Sequence, residues 1–258
     1  MKLLPLLFLA VLSASALAKD TLILAEDDAS MPAYKSGWKG DSGGTGFREW
    51  TLRTQKTAGA ESHAGFYVAD AAGQKDLQGS ALRGRAFALY ANGHHFEATA
   101  AFRPLKKPLR VGQTFSFLLQ HGPIAQKHAH DDPGTGAIGL TLRSGHAADT
   151  IGDYNRGARF EFGSHEGRET YQIYDGDTSR DSGIRLSEAG VSVSLTLVTP
   201  DTYDLEVTTL GDKKTTTLNG CKLGGEKGAP LESFCVFNRD GEKADAFFNG
   251  FQVTGASE

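Results

Sequence analysis

The stretch RVGQTFSFLLQHGPIAQKHAHDDPGTGAIGLTLR, residues 110–143, decides the fold. Phe115, Phe117 and Leu119 fall on one side of an extended chain, and Thr114, Ser116, Leu118 and Gln120 on the other. That period of two marks a strand with one buried face, expected over 113–120. Ile138, Leu140 and Leu142 alternate in the same way with Gly139, Thr141 and Arg143, so a second strand is expected over 136–143. Between them a loop from His121 to Pro133 holds three of the chain's eight histidines and the adjacent pair Asp131 and Asp132.

Outward from this pair the chain reads as strand after strand. Phe87 and Leu89 oppose Tyr90; Phe160 and Phe162 alternate with Arg159 and Glu161; Gln172 and Tyr174 alternate with Tyr171 and Ile173. Val191, Val193, Leu195 and Leu197 oppose Ser192, Ser194 and Thr196, and Tyr203, Leu205 and Val207 oppose Thr202, Asp204 and Glu206. Turn chemistry separates the runs at Asn92-Gly93, Asp175-Gly176, Pro200-Asp201, Asn219-Gly220 and Asp240-Gly241. No window shows a helical period beyond a turn or two near 70–77. About a dozen short strands at this spacing predict an all-β chain, a β-sandwich of two antiparallel sheets.

The first 18 residues, MKLLPLLFLAVLSASALA, have one lysine, a short apolar run and a small-residue end. This is the layout of a secretory signal peptide cut after Ala18, too short to span a bilayer. Residues 19–258 are then expected to form one domain, secreted or periplasmic in a bacterium. The chain carries 27 Lys and Arg against 31 Asp and Glu, a net charge of −4 that losing Lys2 makes one unit more negative. That balance argues against nucleic acid or an anionic membrane as partner, and no later stretch is apolar for long enough to span a bilayer. Cys221 and Cys235 flank a Gly-rich polar segment, Lys222 to Ser233, that could close a hairpin. In an exported chain a disulfide between them is expected, worth about 2–4 kcal/mol.

The segment from Ala33 to Leu52 mixes two tryptophans with five glycines, fitting a tight loop over which aromatics pack. A phosphate cradle would need a strand–loop–helix setting that is missing. Its Ser36-Gly37-Trp38, Gly43-Gly44-Thr45-Gly46-Phe47 and Trp50-Thr51-Leu52 resemble an uncharacterised family of secreted bacterial proteins, many with a PEP-CTERM sorting tail. The resemblance runs on through Gly84 to Asn92, Arg103-Pro104, Val111 to Phe115, Phe160 to Phe162, Arg180 to Ile184 and Phe247 to Asn249. It implies a concanavalin-like, lectin-like jelly roll without an assigned activity. The end of this chain, Phe251 to Glu258, lacks the tail, and the His-rich loop stands where relatives carry a shorter turn.

Three constellations could carry chemistry. His128, His130 and Asp131, with His121 and Asp132 nearby, suit a transition metal, because His-x-His puts two imidazoles on one face of an extended segment. The alternative is a solvated loop with incidental histidines. Arg85, Tyr90, Arg103, Gln120, Glu161, Gln172 and Tyr174 are candidate ligand-binding residues on a sheet face, where aromatics stack on sugar rings and polar groups bond hydroxyls. The same residues could equally be the wet face of an antiparallel sheet. Were the protein an enzyme, Glu161, Tyr174 and His121 are the candidates for acid–base work. A retaining hydrolase would need a second carboxylate about 5 Å away, and no strand supplies one. Asp41, Asp240, Asp245 and Asn249, in Gly-rich loops near both ends, are candidate calcium ligands. The preferred reading is a polysaccharide- or glycan-binding protein, with a lyase or hydrolase using the same face, or a structural surface protein, as alternatives.

Overall fold

The computed structural model describes residues 21–56, 62–73, 77, 82, 84–92, 96–122, 124, 136–176, 179–241 and 244–256. The strands are β1 (Thr21–Asp27), β2 (Thr51–Gln55), β3 (His63–Asp70), β4 (Arg85–Asn92), β5 (Ala98–Leu109), β6 (Thr114–His121), β7 (Ala137–Arg143) and β8 (Ala158–His165). They continue as β9 (Thr170–Tyr174), β10 (Ser179–Arg185), β11 (Val191–Thr199), β12 (Thr202–Thr209), β13 (Thr215–Lys222), β14 (Leu231–Arg239) and β15 (Ala246–Ala256). Eight of them form one sheet in the order β13-β12-β11-β6-β15-β4-β3, with β1 paired to β15. The other seven form a second sheet, β10-β9-β8-β7-β14-β5-β2, and every pairing is antiparallel. The all-β, two-sheet architecture expected from the alternation is what the chain adopts.

The two deciding strands fall in opposite layers. β6 lies inside the eight-stranded sheet and β7 inside the seven-stranded one. Phe115, Phe117 and Leu119 of β6 and Ile138, Leu140 and Leu142 of β7 are all buried in the shared core with Phe160, Phe162, Val193, Leu205, Phe234 and Phe248. Each such side chain contributes about 1.5–3 kcal/mol through burial. The aromatic segment before β2 plugs one side of this core. Trp38 and Trp50 pack edge-on at 5.0 Å, and Trp50 also meets Phe87, Phe234 and Phe251. Gly46 (φ +73°) makes the plug possible, since a Cβ there would sit 2.3 Å from that of Ala25.

The expectations need two corrections, besides two strands that were not marked. Fifteen strands are present among the described residues, in keeping with about a dozen; the two that alternation did not mark are β2, which follows directly on Trp50, and β10 (SRDSGIR), which lacks an apolar alternation. Asn219-Gly220 is not a turn. It lies inside β13, where Gly220 (φ +63°) takes a bulge opposite the register shift between Tyr203 and Leu205. The disulfide does not form, and both cysteines are free thiols. The segment after β13 crosses from one sheet to the other instead of closing a hairpin. Cys221 therefore sits opposite Tyr203 in the eight-stranded sheet, and Cys235 between Phe102 and Thr141 in the seven-stranded one. Packed sheets lie about 10 Å apart, beyond the Cα separation a disulfide spans.

Candidate functional site on the outer face of the seven-stranded sheet

Because Phe160 and Phe162 point into the core, Glu161, Gly163 and His165 point out of the sandwich. Register then builds rows across the outer face. Cys235, Thr141, Glu161 and Tyr174 form one row; Phe237, Gly139, Gly163 and Gln172 the next; Arg239, Ala137 and His165 the third. The middle row holds two facing glycines. A Cβ on Gly163 would lie 2.3 Å from the Ile138 carbonyl oxygen, and one on Gly139 would lie 2.8 Å from that of Phe162.

The connection between β7 and β8 folds back over this face. Its 3-10 turn, Ile151–Tyr154, is closed by a capping box in which the Asp153 carboxylate accepts from the backbone N–H groups of Asp149 and Thr150, each at 2.8 Å. Those bonds, the Thr150 amide first, hold the Asp153 carboxyl below its usual range. The turn delivers Tyr154 onto the sheet. Thr141 Oγ1 donates to its carbonyl at 2.7 Å, its ring packs on Phe237 at 4.8 Å, and its hydroxyl accepts from Arg239 at 2.8 Å. Burial pushes the Tyr154 phenol up, Arg239 pulls it down, and Glu161 and Tyr174 add to the rise, so it stays protonated.

Tyr154 and Arg239 divide the groove into two clefts that share them. One, of about 420 Å³, is polar and is lined by Glu161, His165 and Tyr174 as well. The other, of about 160 Å³, is apolar, lined by Phe96, Ala98, Ala100, Ile151 and Phe237. In the polar cleft His165 Nε2 lies 3.2 Å from Glu161 Oε1, both side chains nearly buried, but the two are not aligned as a hydrogen bond. The His165 and Tyr174 rings stand 5.0 Å apart. A carboxylate, an imidazole and a phenol within one cleft can accept and donate to sugar hydroxyls, and can also exchange protons.

Of the candidates drawn from the sequence, Glu161, Gln172 and Tyr174 share this face. Gln172 is folded onto its own strand, donating to the Thr170 carbonyl at 3.1 Å. Tyr90 and Gln120 lie on the outer face of the other sheet: Tyr90 covers Gly65 and stands 6.1 Å from Tyr67, and Gln120 donates to the Glu188 carbonyl at 2.8 Å. Arg85 begins β4, half-buried, with the inward parity of Phe87. Arg103 is inside the core, its guanidinium 2.8 Å from Asp27 with neither side chain exposed. The seven residues thus do not share one face. His121 ends β6 between the layers, edge-on to Tyr171, with Nδ1 2.7 Å from the Gly122 carbonyl oxygen, and burial lowers its pKa.

His128, His130, Asp131 and Asp132 lie outside the described residues, as do residues 1–18. Among the described residues no group of three or more His, Cys, Asp and Glu could hold a metal ion. The four calcium candidates make separate contacts. The Asp41 carbonyl accepts from Arg103, Asp240 accepts from the Glu97 amide, Asp245 accepts from Tyr67, and Asn249 ties Ala29 to Leu82 and Arg85. The site residues not anticipated are Tyr154, His165 and Arg239. Period two already placed His165 with Glu161 and Arg239 with Phe237, whereas Tyr154 arrives on a loop that no periodicity marks.

No family model and no curated protein matches the chain, so the family likeness rests on the motifs quoted above. Solved structures do match in fold. A conserved carbohydrate esterase of the Shiga toxin-encoding bacteriophage phi24B aligns over 92% of this chain and 100% of its own, at 9% identity and a TM-score of 0.50. The Ca2+/Man3GlcNAc-bound exoplasmic/lumenal domain of VIP36 aligns over 81% and 84%, at 6% identity and 0.44. An endo-β-1,4-glucuronan lyase of the fungus Trichoderma reesei aligns over 67% and 82%, at 10% identity and 0.40. The chain is an all-β sandwich of two antiparallel sheets, similar in fold to that esterase.

Proposed function

We propose that this protein is exported and binds a polysaccharide or surface glycan along the outer face of the seven-stranded sheet. The observation that carries the reading is the paired cleft straddling Tyr154, with Glu161, Tyr174 and Arg239 around the polar half. Tyrosine rings offer apolar faces to a sugar's C–H side, and the carboxylate and guanidinium bond its hydroxyls. Export rests on the leader, residues 1–18. Among the described residues no helix is long and apolar enough to cross a membrane. A calcium ion, or a transition metal on His128, His130 and Asp131, is the cofactor compatible with this reading; elemental analysis of the purified protein checks it. A glycan array tests the main claim. Wild-type protein should retain a subset of glycans, and Tyr174→Ala and Arg239→Ala should each lose at least tenfold in affinity. Silence across a broad polysaccharide panel would refute it.

The close approach of His165 to Glu161 beside Tyr174 favours a second reading, a polysaccharide lyase or hydrolase using the same cleft. A lyase would release unsaturated products that absorb in the ultraviolet; a hydrolase would release reducing ends without that absorbance. Either signal must vanish in Glu161→Gln or Tyr174→Phe. A structural protein without a small ligand is the outcome if both assays stay blank.

A further inference from the structure

The large apolar side chains exposed among the described residues are Leu22, Ile23, Leu24, Val111 and Val198. They gather at one end of the sandwich: three are on β1, Val111 is in the turn between β5 and β6, and Val198 follows Leu197, whose carbonyl accepts from Gly112. Apolar clustering of this kind on a soluble fold marks a binding surface. Two of the five, Leu22 and Leu24, also wall a cleft of about 430 Å³ with Leu105, Pro108 and Val253. That volume is in the range of small-ligand sites, about 300–1,000 Å³.

The cleft lies where strand pairing changes hands. β2 stops pairing with β5 at Phe102, and beyond it the segment before β2 takes over, with Phe47 bridging Leu105 and the Lys106 amide donating to the Gly46 carbonyl, while β1 pairs with β15 and bridges Thr45 through Glu26. The end of β5 and the residue after it bring three cations to the cleft, Lys106, Lys107 and Arg110, all exposed. Lys106 and Lys107 make no ion pair among the described residues. On a chain of net charge −4, an apolar cleft with three cations within five residues is a local exception.

The geometry points to a binding site for a single-chain anionic amphiphile, such as a long-chain carboxylate. Its acyl chain would lie against Leu22, Leu24, Leu105 and Val253, and its head between Lys106, Lys107 and Arg110. A neutral chain would leave the lysines without a partner, and a short anion would leave the apolar wall wet. This site is remote in sequence from the Tyr154 groove, shares no lining residue with it, and does not depend on glycan binding.

Calorimetric titration of the full-length protein with decanoate, dodecanoate and tetradecanoate, each below its micelle concentration, tests the inference. One molecule should bind per chain, tightening about tenfold for each two added methylenes. Dodecyl maltoside should bind at least tenfold more weakly than dodecanoate. Lys106→Glu with Lys107→Glu, at two exposed positions, should weaken dodecanoate at least tenfold, and Tyr174→Ala should leave it unchanged. The inference is overturned if no monomeric amphiphile binds saturably, if charge reversal has no effect, or if the protein adsorbs only to anionic phospholipid vesicles.

Discussion

Arg103 and Asp27 form an ion pair at 2.8 Å with neither side chain exposed, and the guanidinium lies 4.7 Å over the Trp50 ring. Asp27 also accepts from Tyr34 Oη at 2.6 Å and from the Asp28 amide at 3.0 Å. Arg103→Met keeps most of the volume and strands the carboxylate. Breaking such a pair costs about 3–5 kcal/mol, a large part of a domain's stability. The stranded acid has an escape, because it can fold protonated. Relative to an unfolded aspartic acid near 3.9, staying neutral costs about 4 kcal/mol at pH 7 and about 1.5 kcal/mol at pH 5. The sign follows from direction: burial already pushes this carboxyl up against the pull of Arg103, and removing Arg103 raises it further. Folding then takes up a proton, so this stability is complete below the unfolded value and is lost as pH rises through the folded one. Asp27→Asn strands the guanidinium instead, which cannot shed its proton, so its cost should barely change between pH 5 and 7. Asp27→Leu with Arg103→Met should recover at least half of either loss. Urea unfolding at both pH values reads all four proteins. A loss under about 1 kcal/mol for Arg103→Met at pH 7, or a loss that grows on acidification, would sink the reasoning. Glycan affinity of the folded variant should not move, since Arg103 is out of a ligand's reach.

Three further outcomes are expected. Gly163→Ala should lower stability by about 1–3 kcal/mol in thermal unfolding, because the new methyl meets the Ile138 carbonyl and Gly139 Cα, both backbone atoms that cannot swing away. His121 is held by burial below its ordinary range, so folding expels its proton; stability should fall as pH drops below about 6.5, by at most about 1.4 kcal/mol per pH unit, and His121→Leu should flatten that slope. A thiol reagent should label Cys221 in the folded protein and Cys235 only after unfolding, since Cys235 is fully buried and burial raises its thiol; mass should be the same before and after reduction.

What the sequence made legible is what period two encodes. Phe115 to Leu119, Ile138 to Leu142 and Val191 to Leu197 each reveal a buried face, and two sheets follow from there being many such strands. Pairing partners are another matter, because alternation says which face a residue takes and nothing about which layer its strand joins. Tyr90 and Tyr174 read alike in sequence and end on opposite outsides of the molecule. Arg103 sits one residue past the outward Phe102 and so faces the core; its charge argued for solvent, and only the buried Asp27 reverses that. The cysteines failed for the same reason, since a Gly-rich segment can close a hairpin or cross between sheets with equal ease.

The groove depends on two features that act together. Gly139 and Gly163 remove side chains from two positions of the middle row, and Glu161, His165 and Tyr174 wall the polar cleft beside it. The Asp153-capped turn then lays Tyr154 beside that row, pinned by Arg239 and Phe237. Neither feature suffices alone: a bare glycine row would be a shallow strip of wet sheet, and the loop over full-sized side chains would stand too high to form a cleft. Because Asp153 takes its lowered pKa from the turn it caps, the turn's stability is present above the unfolded aspartate value and is lost as pH falls through the folded one. Asp153→Asn should therefore weaken glycan binding at neutral pH while leaving the sandwich folded, seen as unchanged strand circular dichroism with higher proteolytic cleavage between residues 144 and 157. Equal affinity in that variant would show that Tyr154 holds its place without the cap, and the groove would have to be explained by the sheet alone.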